Sequence, residues 1–269
     1  MTKQKGIILW VGATVLLGSQ ILMPASARAG LCDDPVRNQK LCRQMNHLRS
    51  GLNFLEAQRE LLQVNYPLLA ALGLDMAAVA QDALKESASG APENHLSPLK
   101  AVIEKTTRLA AEATKSSPNA LVTANQIKAQ CAACHTGQGT GAASGHLWTD
   151  IANYNWEVVH TACNKPGRNP FLCKNMHGLA SSYNFLVTGF EAQRENYDAL
   201  SLSATEMLRI SEALEATGVF HGNGDLIGAL KNDVKAVLTV AHRRDPNAFE
   251  KSRNLGQACV SCHSGPYGR

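Results

Sequence analysis

Leu41-Cys-Arg-Gln-Met45-Asn-His-Leu48-Arg-Ser-Gly-Leu52-Asn-Phe-Leu55 decides the fold, because the chain writes it twice. The copy lies 131 residues on and reads Leu172-Cys-Lys-Asn-Met176-His-Gly-Leu179-Ala-Ser-Ser-Tyr183-Asn-Phe-Leu186. In each copy the apolar residues recur at alternating four- and three-residue steps. That spacing puts Leu41, Met45, Leu48, Leu52 and Leu55 on one helix face, and Leu172, Met176, Leu179, Tyr183 and Leu186 on another.

The match extends both ways. Upstream, Cys32, Pro35, Arg37 and Asn38 meet Cys163, Pro166, Arg168 and Asn169; downstream, Asn65-Tyr66 meets Asn196-Tyr197. Further on the offset becomes 128, where Pro118-Asn119-Ala120 meets Pro246-Asn247-Ala248. Self-similarity over this span predicts two domains rather than one. A second helix is predicted over residues 75–87 and 203–216, and a third near 98–115 and 225–242. A fourth begins at Ser117-Pro118 and Asp245-Pro246, where Ser or Asp can cap the first amides and proline suits the first helical position. Strand-like alternation is absent and aromatics make up only 5% of the chain. The predicted class is all-α, two tandem antiparallel four-helix bundles.

Each predicted fourth helix runs into a C-x-x-C-H motif, Cys131-Ala-Ala-Cys134-His135 and Cys259-Val-Ser-Cys262-His263. This is the attachment signature of c-type haem. The two thiols add across the haem vinyl groups, and the adjacent histidine sits under the iron as proximal ligand. One copy would also suit a thioredoxin-like redox pair or half of a zinc site. Two copies, each closing a similar stretch of chain behind an export signal, favour two covalent haems. Cys131, Cys134, Cys259 and Cys262 would hold the cofactors, and His135 and His263 the irons.

The export signal is read from Lys3 and Lys5, the apolar run Gly6 to Leu22, and Ala27-Arg28-Ala29 as cleavage site. The run is only about 17 residues and is interrupted by Gly12, Gly18, Ser19 and Gln20, marginal for an uncleaved anchor. The sequence thus divides into a signal peptide (1–29), a first haem-binding unit (30–135), a Gly/Ser/Thr-rich linker and connecting segment (136–160) and a second unit (161–269). Trp148, Tyr154 and Trp156 of the connecting segment are candidates to pack between the units. The predicted location is the periplasm, with no stable membrane anchor. Residues 1–29 carry three basic residues and no acid, so the 26 basic residues fall to 23 against 22 acidic ones. The formal charge drops from +4 to +1, and the sequence pI of 8.6 is no argument for nucleic acid as partner.

A four-helix unit of this length with C-x-x-C-H at the end of the last helix resembles the class II c-type cytochromes, cytochrome c′ and its low-spin relatives. The ending Gly256-Gln-Ala-Cys259-Val-Ser-Cys262-His263, with Tyr267 and Arg269, is similar to theirs. The resemblance implies electron transfer, or binding of diatomic gases where the iron is five-coordinate. In low-spin members the distal methionine comes from the first helix, and Met45 and Met176 occupy equivalent places there. A thioether favours ferrous iron and raises the potential, although both methionines also lie on an apolar stripe and suit core packing. His47, His177, His160 and His242 are rival ligands, but none recurs in the register, since His47 aligns with Gly178 and His177 with Asn46. The duplication, the extra cysteine pair per unit and the Gly-rich segment after His135 depart from the family pattern.

Four cysteines remain. Identical ten-residue spacing and an oxidising compartment predict two local disulfides, Cys32–Cys42 and Cys163–Cys173. The function expected is a dihaem carrier of single electrons between periplasmic redox proteins, not an enzyme. A gas-binding haem protein is the first alternative. A dihaem peroxidase is the second, and it would need distal acid–base residues that do not recur. Glu56-Ala-Gln-Arg-Glu60, which recurs as Glu191-Ala-Gln-Arg-Glu195, is read as an exposed charged helix face.

Overall fold

Asn38 and Asn169 each start a helix by accepting the amide of the residue three ahead, Leu41 at 3.0 Å and Leu172 at 3.1 Å. These are α1 (Gln39–Glu60) and α5 (Pro170–Glu191), which carry the repeated stripe. The structure, a computed structural model, describes residues 38–61, 64–87, 93–136, 163–192, 194–218 and 224–264. The side chains of 93–95, 132–136, 224–225 and 259–264 lie outside that description, as do residues 1–29, where a signal peptide is expected, and 137–160 of the expected connecting segment.

Six more helices complete the described residues, among which there is no strand: α2 (Tyr66–Ser87), α3 (Glu93–Thr114), α4 (Asn119–Thr136), α6 (Tyr197–Ala216), α7 (Gly224–His242) and α8 (Asn247–Ser264). The chain is all-α, as the periodicity predicts. Two starts differ. α2 and α6 begin at Tyr66 and Tyr197, well before residues 75 and 203, because Asn65 and Asn196 cap them through the amides of Leu68 and Ala199. Pro98 lies inside α3 rather than opening it. α4 and α8 begin directly after Pro118 and Pro246, with Ser117 Oγ and Asp245 Oδ1 accepting the amides of Asn119 and Asn247.

The repeat reaches the backbone. α1 and α5 differ by 131 at both ends, and α4 and α8 by 128 at both ends. α3 has 22 residues and α7 has 19, a difference of three that absorbs the change of offset. The turns that follow are also copies. Ser116 and Arg244 both have left-handed backbone, φ 51° and 53°. The amides after them reach back to Glu112 and Val240 carbonyls, closing each helix with a Schellman-type cap.

Within the first half α1 packs on α2 and α4, and α3 on α2 and α4; the second half repeats the pattern with α5 to α8. Phe54, Leu55, Leu68, Leu69, Leu72, Met76, Leu109 and Ile127 are fully buried in the first core, and Met207, Ile210, Leu214 and Leu255 in the second. α2 is long and apolar enough to cross a membrane by length and composition, and its Leu68, Leu69, Leu72, Met76 and Val79 are fully buried within the protein. The halves also pack on each other, α1 against α5 and α2 against α6. Phe185 and Ala199 join the first core and Leu61 the second.

α1 is therefore buried on two faces. Leu48, Leu52 and Leu55 face their own half, as the stripe predicts. Gln44, His47, Ser50 and Gln58 are buried too. The Glu56–Glu60 segment is consequently not an exposed charged face: Glu56, Ala57 and Gln58 are buried, Glu56 against α4 of its own half and Gln58 against the second half. Glu56 pairs with Lys128 at 2.7 Å and Glu60 with Lys174 at 3.3 Å.

Candidate functional site

The two C-x-x-C-H motifs end α4 and α8 on helical backbone, which sets the two cysteines of each motif three residues apart on one face. Antiparallel packing decides what lies opposite. Near the C-terminal end of α1, Glu56 meets Lys128 and Arg59 donates to Asn125, both on α4. The early turns of α1, with Met45, then run beside the late turns of α4. Met45 and Cys131 pack half-buried against the same core. In the second half the Tyr183 hydroxyl donates to the Arg253 carbonyl at 3.2 Å, passing α8 where Gly256 has no side chain. Met176, two turns earlier on α5, is half-buried against the second core together with Ala258, which precedes Cys259. The side chains of Cys134, His135, Cys259, Cys262 and His263 lie outside the described residues.

The donors at each bundle end suit a covalently held haem: two thiols and an imidazole in the motif, and a thioether on the facing helix. The packing suits it as well. Along α1 the apolar face passes from half-buried Leu41 and Met45 to buried Leu48, Leu52 and Leu55, and α5 from half-buried Leu172 and Met176 to buried Leu179 and Leu186. A flat apolar group would cover the half-buried part.

The rival histidines occupy other places. His47 is buried at the interface between the halves, where both ring nitrogens are engaged by Asp75 and Thr188; His242 is exposed; His160 lies outside the described residues. His177 is beside the Cys163–Cys173 disulfide, its ring nitrogen and both sulfurs within 4.8 Å of one another. Burial, helped by the Arg168 charge, pushes its imidazole below the usual histidine range. The sulfurs are joined to each other and offer no thiolate. Cys42 is disulfide-bonded as well; Cys32 lies outside the described residues. The Cys163–Cys173 bridge, with Cα atoms 5.4 Å apart, ties the segment before α5 to that helix's first turn.

A second constellation, of buried charged and polar side chains, sits between the halves. Asp75 Oδ2 lies 2.6 Å from His47 Nε2, and its Oδ1 accepts from Asn196 Nδ2 at 2.9 Å across the interface. His47 Nδ1 meets Thr188 Oγ of α5 at 3.0 Å, and its ring stacks on Phe185 at 4.7 Å. The Thr188 hydroxyl donates to the Asn184 carbonyl, so its oxygen is left to accept from His47. His47 and Asp75 are 1% and 2% exposed. Burial by itself would raise the Asp75 carboxyl, but the His47 hydrogen bond and charge, Asn196 and the Arg194 charge together hold it below the ordinary range.

The counterpart in the second half is Glu206, fully buried. It accepts from Gln58 Nε2 and Asn65 Nδ2, each at 3.1 Å across the interface, and from Arg209 at 2.7 and 3.0 Å. Burial pushes this carboxyl up and the donors, Arg209 foremost, bring it below its usual value. Sequence reasoning missed this layer. Its one available signal was that Asp75 and Glu206, like Asn65 and Asn196, stand 131 residues apart.

No protein-family model, no curated protein and no solved structure matches this chain.

Proposed function

We propose that the chain is an exported dihaem c-type cytochrome built of two tandem four-helix bundles, passing single electrons between periplasmic redox proteins. One observation carries the reading: each C-x-x-C-H motif ends the last helix of a half, beside a first helix whose methionine stands at the repeated position. Haem, when bound, supplies a one-electron ferric–ferrous couple. The chain's own residues do the rest. Cys131, Cys134, Cys259 and Cys262 would anchor the cofactors, His135 and His263 would offer proximal nitrogens, and Met45 and Met176 distal sulfurs. The packed cores around Leu48, Leu52 and Leu55, and around Leu179 and Leu186, fix the first helices and so the placement of those sulfurs. The halves pack on each other through α1 against α5 and α2 against α6, which would keep the two haem ends in one assembly.

The test is to produce the full chain with a c-type haem maturation system and record its mass and visible spectra, oxidised and reduced, with and without carbon monoxide. The expected result is a mass gain of two haems and two low-spin centres indifferent to the gas. A chain that gains no haem overturns the proposal. A high-spin centre that takes up carbon monoxide replaces the carrier reading with a gas-binding one for that half.

A further inference from the structure

We infer that the buried layer between the halves is a pairing code, by which each half accepts the other and rejects a copy of itself. The inference is independent of haem. It rests on how two equivalent carboxylates are surrounded.

Asp75 and Glu206 are counterparts in the 131-residue register, and so are the asparagines that reach them from the opposite half, Asn196 and Asn65. The layer is thus two-fold in plan, like the interface of a symmetric dimer. The remaining neighbours break the symmetry in a complementary way. At Asp75 the half's own first helix contributes His47, and the opposite helix contributes Gly189. At Glu206 the own helix has Gly178, and the opposite helix contributes Gln58. His47 is the counterpart of Gly178, and Gln58 of Gly189. Each carboxylate therefore receives one large polar side chain and one glycine, from opposite sources.

The space confirms the exchange. A Cβ on Gly189 would stand 3.2 Å from His47 Cε1, tighter than ordinary contact, so even alanine would need the buried His47 ring to give by a few tenths of an ångström and a longer side chain would press on it harder. A Cβ on Gly178 would stand 2.8 Å from Ile210 Cδ1, which fills that side where the first half has Val79.

Two first halves placed together would set Gln58 where Gly189 stands, against His47. They would also set Ala57 where Thr188 stands, taking away the acceptor of His47 Nδ1. Both changes are costly in a buried layer. Two second halves would set Gly189 where Gln58 stands, leaving buried Glu206 short of a donor beside an unfilled space. Only unlike halves give every carboxylate one large and one small neighbour. The partner this surface fits is the opposite half of the same chain, and specificity comes from clashes against the wrong pairing as much as from contacts in the right one.

The experiment is a double-mutant cycle in the full-length protein, read by thermal melting. Gly189→Gln with His47→Ala places at Asp75 the arrangement found at Glu206, a small residue on the own helix and a glutamine from the opposite one. Each single substitution should lower the melting temperature, and the pair should regain more than half of the summed loss. Gly189→Ala, alone and with His47→Ala, runs the same cycle with a smaller insertion should Gly189→Gln fail to fold. Gly228→Ala, which meets nothing within 4 Å, should be additive with His47→Ala. Losses at 189 and 47 that simply add, in both cycles, overturn the inference.

Discussion

His47 Nε2 and Asp75 Oδ2 stand 2.6 Å apart inside the protein, joining α1 to α2, and the second half completes both: Thr188 takes the other ring nitrogen and Asn196 the other carboxylate oxygen. A pair that would be half-satisfied within its own half is satisfied only by docking. Breaking it leaves a charge buried without a partner, which typically costs about 3 kcal/mol or more.

Acid should undo this layer first. Asp75 and Glu206 both have carboxyls held below their ordinary values in the folded state. Their contribution is complete above the unfolded carboxylate range, near pH 4, and is lost as pH falls through the lower folded values. Glu56, pushed up by burial despite Lys128, works in the opposite direction and is relieved by acid. Urea midpoints measured from pH 7 to 2 should hold above about pH 5 and drop below about pH 4. Asp75→Asn with Glu206→Gln should flatten that drop.

Two glycines in helices should respond oppositely to alanine. A Cβ on Gly73 would lie 2.8 Å from the Thr106 carbonyl oxygen and 2.9 Å from the Ala110 nitrogen, backbone atoms that can yield only if α2 and α3 separate. Gly228 meets nothing within 4 Å. Gly228→Ala should stabilise by roughly 0.5–1 kcal/mol, the ordinary helix preference, while Gly73→Ala should destabilise in spite of that gain. Chemical denaturation of the two variants checks the sign of each.

Ser116 holds a left-handed backbone at the end of α3, a conformation that glycine adopts without penalty. Ser116→Gly should raise stability by about 1 kcal/mol. The same turn in the second half uses Arg244, which also pairs with Asp198, so Arg244→Gly should give less.

Reducing the Cys163–Cys173 bridge frees a short loop before α5. The loss expected is about 2–3 kcal/mol, mainly from the added freedom of the unfolded chain. Cys173→Ser should melt earlier than the parent protein by the same increment that a reductant produces in the parent at this bridge.

Met45→Ala and Met176→Ala should each alter one haem in the protein matured with haem, turning a single low-spin centre high-spin and opening it to carbon monoxide. If both spectra stay unchanged, the methionines are packing residues. The visible spectrum of each variant decides this.

Much of the helical layout is legible in the chain. Ser117-Pro118 and Asp245-Pro246 mark helix starts because a short polar side chain can take up orphan amides, whereas the Asn65 and Asn196 caps, which set α2 and α6 earlier than the apolar pattern shows, are legible only as repeated residues. The stripe through Leu48, Leu52 and Leu55 marks the face turned to its own half. The second buried face of α1 is not legible, because it is made of His47, Ser50 and Gln58. Periodicity rewards apolar residues. A polar residue that is buried and satisfied by a partner more than a hundred positions away looks the same in sequence as one facing water. Pro98 misled for a local reason: a proline near a helix start is read as its first residue, and α3 takes up the chain five positions earlier.

The shorter α7 shows what kind of change such a bundle tolerates. Deleting one or two residues from a helix turns everything beyond by about 100° or 200° and would carry core side chains into water. Three residues turn it by about 300°, only some 60° short of a full revolution, and withdraw about 4.5 Å of length. The inward face of α7 survives on Val234, Val237 and Ala241, and the copied turn at Arg244 still delivers α8. A lineage altering this helix had few lengths to choose from, and 19 against 22 is one that geometry forgives.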